Sequence, residues 1–247
     1  MNDKKNSERK MIYGRNPVLE ALESGAEIDR ILIQRDIEGA GRKIYALAKN
    51  AGIPVTSVDR RALGREAGST AHQGVVCYLS EFAYATVDDI LAAAAALRED
   101  PFIVLLDGIE DPHNLGAIIR SADGAGAHGV VIRKNRAAQV TPAVVKASAG
   151  AAVRMPVARV PGIAQTIDFL KERGVWVYGA DAGGENYASV TYEGAAALVI
   201  GSEGDGLSHL VREKCDYIVS IPMRGKLASL NASCAAAVVL YEMAKDR

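Results

Sequence analysis

The sequence predicts an α/β protein in two parts: a small N-terminal unit of mixed strands and helices, and a larger unit built on a parallel sheet covered on both faces. Three observations predict it. From Phe102 onward, short runs that are apolar throughout alternate with amphipathic helical stretches, the pattern of strands buried from both sides. Hydrophobic residues make up 49% of the chain but aromatics only 5%, with alanine and glycine plentiful, so a sizeable core packs closely through small side chains. Between the parts, "EFAYATVDDILAAAAALREDP" carries five acidic residues and one basic one, a break in composition that reads as a link. The 247 residues allow one large domain or two smaller ones. The expected boundaries are a disordered tail over 1–10, a small unit over 11–80, a linker over 81–100 and a large unit over 101–247.

The tail "MNDKKNSERK" is charged and has no apolar anchor. "NPVLEALESG" predicts a helix starting at Asn16, with Pro17 at its first position and Gly25 past its end. "IDRILIQ" is a strand, "GRKIYALAKNAG" a helix closed by Gly52, and "IPVTSVD" and "GVVCYLS" two further strands. In the link, an alanine-rich helix starts near Asp88 or Asp89, ends by Pro101 and docks on the second unit. "FIVLLDGI" is an apolar strand. In the following "DPHNLGAIIRSADGAGAHG", Leu115, Ile118, Ile119 and Ala122 fall at i, i+3, i+4 and i+7, one apolar stripe from which Arg120 points away. Then come a strand in "GVVIRK", a helix through "PAVVKASAG", a strand in "MPVARV", a helix in "IAQTIDFLKERG", and strands in "VWVYGAD" and "AALVIGSEG". A helix through "SHLVREK", a strand in "YIVSIPM" and a last helix through "SLNASCAAAVVLYEMAKD" complete the chain.

The formal net charge of −1 does not announce a nucleic-acid partner globally. Local charge says more. Residues 1–80 hold 13 Lys/Arg against 10 Asp/Glu, and no acid lies between Asp123 and Asp168, where Arg133, Lys134, Arg136, Lys146, Arg154 and Arg159 all fall. Such a stretch is either chance or a phosphate-facing strip. Cys77, Cys215 and Cys234 are far apart and form no CxxC, which argues against zinc and against a disulfide framework; buried or inert thiols in a reducing compartment are expected. The polar N-terminus lacks a signal-peptide core, and no apolar run is long enough to span a bilayer, so a soluble, cytoplasmic protein is expected.

Ligands of open parallel sheets bind outside the carboxyl ends of the strands, and three loops there carry unusual residues. "DGIEDPHNLG" lacks GxGxxG, so it is no dinucleotide fingerprint; Asn114 is placed to cap the next helix, with Asp111 before Pro112 as a rival. "GSEGDGLS" surrounds Glu203 with Gly201, Gly204 and Gly206, which permit close backbone approach, and no GK[ST] follows to make a P-loop. "PMRGKLASLNAS" puts Ser229 at a cap position and Asn231 in the first turn of the last helix, where backbone N–H groups suit an anion or a polar ligand edge. Taken singly, each loop also has a plain structural description: the first and third as capped helices, the second as a tight turn with a solvated Glu203. Together they offer Arg, Glu, Asn, Ser and backbone donors, with no cysteine nucleophile, no metal cluster and no Ser–His–Asp set; His113 and His128 are isolated. This suits a ligand-binding α/β protein, such as a group transferase whose cofactor carries the hard chemistry.

"DPHNLGAIIRSADGAG", "LVIGSEGDGLS" and "IPMRGKLASLNASCAAAVVLYE" together, in this order, resemble the three motifs of the SpoU (TrmH-like) family of S-adenosylmethionine-dependent RNA ribose 2′-O-methyltransferases. "YGRNPVLEALESG" and "AHQGVV" resemble the substrate-binding domain of members that act on large-subunit rRNA or similar targets, so the likeness spans essentially the whole chain. Ala232, where the family often has Val, is a departure of little chemical consequence. The resemblance implies a SPOUT fold for the second unit, a parallel sheet threaded into a deep trefoil knot, and an N-terminal unit similar to RNA-binding ribosomal proteins. It implies a homodimer packed through the SPOUT domains. It also implies S-adenosyl-L-methionine contacted by Gly201, Ile221 and Leu230, and a catalytic site at Asn114, Arg120, Glu203, Ser229 and Asn231. The implied reaction is methylation of a ribose 2′-hydroxyl, at a guanosine of 23S rRNA, with a tRNA methyltransferase or a non-catalytic RNA-binding protein as alternatives. Arg133, Lys134 and Arg136 are then candidates for RNA contact.

Overall fold

A computed structural model describes residues 11–23, 26–80, 82–245 and 247. The expected tail and Gly25 lie outside the described residues. The chain divides between Ala83 and Tyr84 into two compact units.

The first unit is a four-stranded sheet in the order β1 (Met11–Tyr13), β4 (Val75–Leu79), β2 (Ile28–Gln34), β3 (Val55–Val58). Strand β4 runs against β1 and β2, whereas β3 is parallel to β2. The period-2 pleat sends Ile31, Ile33, Val75 and Cys77 to one face, where helices α1 (Arg15–Glu23) and α2 (Ala40–Asn50) cover them with Val18, Ala21, Ile44 and Ala48. Leu32, Val76 and Tyr78 point to the other face, under Leu63 and Ala67 of α3 (Arg60–Ala67). The sequence reading had not anticipated β1 or α3. Helix α3 is short and rich in charge, so its apolar stripe is only Leu63 and Ala67. Its signals are at the ends: Asp59 accepts from Ala62 N at 2.8 Å, and Gly68 closes it at φ 59°.

The second unit opens with α4 (Val87–Leu97), which starts earlier than expected because Thr86, rather than Asp88 or Asp89, is the cap. The Thr86 hydroxyl accepts from Asp89 N at 3.1 Å, and the Asp89 carboxylate accepts from Thr86 N at 2.8 Å, a reciprocal box worth about 1 kcal/mol. The helix stops at Arg98, in the left-handed region at φ 60°, before Pro101 is reached. Ile90 carries α4 into the core of this unit.

Six parallel strands follow in the order β10 (Tyr217–Ser220), β8 (Trp176–Asn186), β9 (Ala196–Gly201), β5 (Phe102–Asp107), β6 (Gly129–Arg133), β7 (Val157–Val160). Strands β5 and β9 at the centre are buried at every residue, which is why they read as unbroken apolar runs. Helices α5 (Pro112–Gly124), α8 (Ile163–Lys171) and α10 (Ala232–Ala244) supply most of the cover, with short α9 (His209–Lys214) against α8. The helix expected through "PAVVKASAG" is two pieces, α6 (Pro142–Ala147) and α7 (Ala151–Arg154), because Ala149 and Gly150 both take positive φ. Gly116 lets α5 meet α6: a Cβ there would stand 2.5 Å from that of Ala147. No helix among the described residues is long and apolar enough to cross a membrane.

Candidate active site

The chain leaves β5 toward β6 on one side, while β9 lies on the other. A crevice therefore opens beyond the paired strand ends, where Asp107 stands beside Gly201. Asp107 is almost fully buried. Its Oδ2 accepts from Ser208 N at 2.9 Å, and its Oδ1 lies 3.5 Å from Arg133 Nη1, so one carboxylate ties the loop after β9 to the ends of β5 and β6. The sequence reading missed Asp107, although an acid ending an otherwise apolar strand was a visible signal.

The loop after β9 folds on itself. Ser202 and Gly206 exchange backbone hydrogen bonds of 3.0 and 3.2 Å, with Gly204 and Gly206 at φ 93° and 68°. A Cβ on Gly201 would sit 2.2 Å from the Gly206 carbonyl, so only glycine fits. Gly201→Ala is expected to cost about 1–3 kcal/mol as the turn is pushed open, read as a fall in melting temperature of several degrees. An unchanged melting temperature would mean that this packing is not tight.

Two cap assignments change. Asp111, not Asn114, caps α5: its carboxylate accepts from His113 N and Asn114 N at 3.2 and 3.1 Å. Pro112 then takes the first helical position and needs no donor. Asn231, not Ser229, caps α10, its Oδ1 accepting from Ser233 N at 2.9 Å and from Ser233 Oγ at 2.6 Å. With Asp111 as the cap of α5, Asn114 is free to meet Asn231. Because Asn231 Oδ1 is committed to N–H and O–H donors, its Nδ2 faces the crevice. There it donates to Asn114 Oδ1 at 3.0 Å and, closely, to Glu203 Oε1. Asn114 is buried and Glu203 exposed, so the cluster has an inner wall and a mouth. Asn114 Nδ2 donates to no described residue.

Ile221, Ser229 and Leu230 lie in the loop from β10 to α10. Ile221 is half-buried; Ser229 and Leu230 are exposed, as are Met223 and Leu227. Residues 222–230 make no backbone–backbone hydrogen bond among the described residues. Past Pro222, which has no N–H, this is a stretch of amide groups without backbone partners beside open apolar side chains, the donor set and walls that suit a heterocycle with polar edges and apolar faces.

Arg120 is not brought into the cluster. It stands six residues beyond Asn114 on α5, about 9 Å along the axis and a third of a turn around it. It is exposed and makes no ion pair or hydrogen bond among the described residues. The stretch without acids is not acid-free in space. Arg133 faces Asp107, Arg154 pairs with Asp123 at 3.0 Å, and the Arg159 guanidinium lies 4.3 Å from the centre of the Tyr84 ring. Lys134 is half-buried, with its N–H bonded to Val160 O, and Arg136 is exposed.

Of the cysteines, the Cys77 and Cys215 thiols are pushed up to about 12 by burial and are poor nucleophiles, whereas Cys234 is exposed. His128 is structural: Nδ1 accepts from Phe102 N at 3.0 Å, and Nε2 meets Glu99 at 3.1 Å.

Comparison with known proteins decides the family. The model of the SpoU rRNA methylase family matches residues 101–241, and that of the RNA 2′-O ribose methyltransferase substrate-binding domain matches residues 11–85. The chain belongs to the SpoU rRNA methylase family. It is 44% identical over 238 residues to YacO of Bacillus subtilis (strain 168), which carries the name of a TrmH family tRNA/rRNA methyltransferase; the match covers 96% of this chain and 95% of that one. The crystal structure of the SpoU methyltransferase AviRb from Streptomyces viridochromogenes, in complex with the cofactor AdoMet, superposes with a TM-score of 0.60. It is 31% identical, and the match covers 96% of this chain and 89% of that one. An AdoMet-bound rRNA methyltransferase from Sinorhizobium meliloti superposes with a TM-score of 0.56 at 26% identity, over 96% of this chain and 87% of that one. Family membership joins the three crevice loops, which belong to the methylase domain, to a separate substrate-binding unit.

Proposed function

We propose that the protein methylates a ribose 2′-hydroxyl of RNA with S-adenosylmethionine, at a guanosine of 23S rRNA. The observation that carries this reading is the convergence of three separate loops through one side chain: Asn231 bridges Asn114 and Glu203 beyond the ends of β5 and β9. A scaffold kept only for binding has no need of a carboxylate and two amides held in mutual contact.

S-adenosylmethionine, when bound, would supply an electrophilic methyl carbon on a sulfonium, whose leaving group is a neutral thioether. Gly201, Ile221 and Leu230 would hold it, largely through backbone groups, against the amides of residues 223–230. The return of the chain from edge strand β10, past β8 and β9, to α10 is where the trefoil knot implied by the resemblance would be threaded. The chain's own residues handle the ribose. For O2′ to take the methyl carbon the hydroxyl must lose its proton, here to water; negative charge develops on O2′ as the proton leaves and would be spent as the oxygen–carbon bond replaces the carbon–sulfur bond. Arg120 stays protonated, so it serves that charge as a stabiliser and not as a base. Asn114 and Glu203 hold the arginine and the ribose, while Ser229 and Asn231 shape the loop between cofactor and substrate.

Arg120 lies off the cluster in one chain, so we assign it to a substrate seated at the cluster of a second copy. The exposed faces of α5 and α10, with the apolar Met223, Leu227 and Leu230 nearby, supply the homodimer surface. The substrate-binding unit and Arg136 would grip the RNA outside the crevice.

Mapping ribose methylation across total RNA, with and without the gene, tests the reading. The expected result is loss of methylation at one guanosine of 23S rRNA. Loss at a tRNA ribose instead would favour the tRNA enzyme, and no lost position would sink the catalytic reading.

A further inference from the structure

The first unit carries its own cavity, of about 370 Å³, lined by Arg15, Gln34, Arg60, Gln73 and Gly74. Strands β1, β2 and β3 run in one direction, so Tyr13, Gln34 and Val58 end at the edge where β4 begins. Each of these strands leads next into a helix, after one residue for α1 and α3 and five for α2, so the three helices start on the side of that edge with their N-terminal, partly positive ends.

The cavity is held open by a strained turn. Gln73 sits at φ 50°, a left-handed conformation unusual for its type, followed by Gly74 at φ 84°. Three bonds pin the turn. His72 Nδ1 accepts from Gly74 N at 3.0 Å, Arg15 Nε donates to the Gln73 carbonyl at 3.2 Å, and Arg15 N donates to Gln73 Oε1 at 3.1 Å. This leaves Gln73 Nε2, the outer nitrogens of Arg15, the whole Arg60 guanidinium and the side-chain carboxamide of Gln34 without a hydrogen-bond partner among the described residues. Arg15 and Arg60 form no ion pair among the described residues, and the Asp59 carboxylate is turned to the first turn of α3.

We infer that this cavity takes one unstacked nucleotide of single-stranded RNA, with Arg60 and Arg15 on its phosphate and the amides of Gln34 and Gln73 on its base edge. Two guanidinium groups beside two carboxamides match that ligand, since an arginine fork suits phosphate and a carboxamide both donates and accepts. A continuous duplex offers no base edge that could enter a pocket of this kind, whereas a loop or bulge does. The inference rests on the RNA-methyltransferase reading and deepens it by assigning where the substrate-binding unit holds its RNA.

The test uses the full chain, a labelled 23S rRNA transcript, and a fully paired RNA duplex as competitor. Arg60→Ala is expected to weaken transcript binding about tenfold and to lower the slope of log affinity against log salt by about 1, the signature of one lost phosphate contact. Arg60→Lys should restore most of the affinity. Gln34→Ala should narrow the preference for transcript over duplex while leaving the salt slope unchanged. Lys49→Ala, which removes an exposed charge at the far end of α2, should change neither quantity. If Arg60→Ala binds like the parent, or if Lys49→Ala has the same effect, the assignment fails. Binding is read without turnover, so a chain that binds through Arg60 yet methylates nothing would overturn the functional reading and leave the cavity assigned. A chain that still methylates, and that loses no transcript affinity when Arg60 is removed, would do the reverse.

Discussion

Arg120→Ala is expected to lower kcat by two to three orders of magnitude with little change in folding or cofactor affinity. Removing one preorganised donor at a developing oxyanion has an effect of that size, whereas removing an exposed, unpaired side chain costs almost no stability. Arg120→Lys keeps the charge but loses the planar fork, so a partial rate is expected. A second measurement separates the two geometries open to Arg120. If it serves the partner's site, mixing equal amounts of Arg120→Ala and Asn231→Ala subunits rebuilds one intact site in each mixed dimer. Random assortment then returns about a quarter of parental activity from two inactive proteins. If Arg120 serves its own cluster, each subunit carries one lesion and no activity returns. Parental rates in both Arg120 variants would remove the residue from the mechanism.

The large unit was legible in the sequence because its signals are redundant. A fully buried strand such as Phe102–Asp107 is apolar at almost every position, and the stripe Leu115, Ile118, Ile119, Ala122 has helical spacing over two turns. The elements missed were those held by their ends or by pairing. Helix α3 depends on Asp59 and Gly68, and β1 has three residues with nothing periodic about them. The caps show a subtler limit. In "DPHN" and "SLN" more than one residue has a suitable side chain, and spacing does not choose between them. The decision at α5 falls to Pro112, which settles at the first helical position and leaves Asp111 outside. The charge pattern misled for a related reason. A run without acids in sequence meets Asp107 and Asp123 in space, because β6 lies beside β5 and α7 packs against α5.

Asn231→Ala is expected to damage the site more broadly than any other single change in the cluster. Its Oδ1 caps α10, and the loss of such a cap costs about 1 kcal/mol, a fall in melting temperature of a few degrees. Its Nδ2 holds Asn114 and Glu203 together, so their side chains lose their common partner when it goes. Activity should therefore fall at least a hundredfold, far more than the stability change explains. Asn231→Asp separates the two roles. Aspartate is as good a cap, so the melting temperature should hold, but it offers no donor and sets a second carboxylate against Glu203. A stable Asn231→Asp protein with lost activity would show that the bridge, and not the helix cap alone, builds the site. An active Asn231→Asp protein would mean that Asn114 and Glu203 need no amide between them, and the chemical reading of this crevice would have to be rebuilt from Asn114 and the loop of residues 222–230.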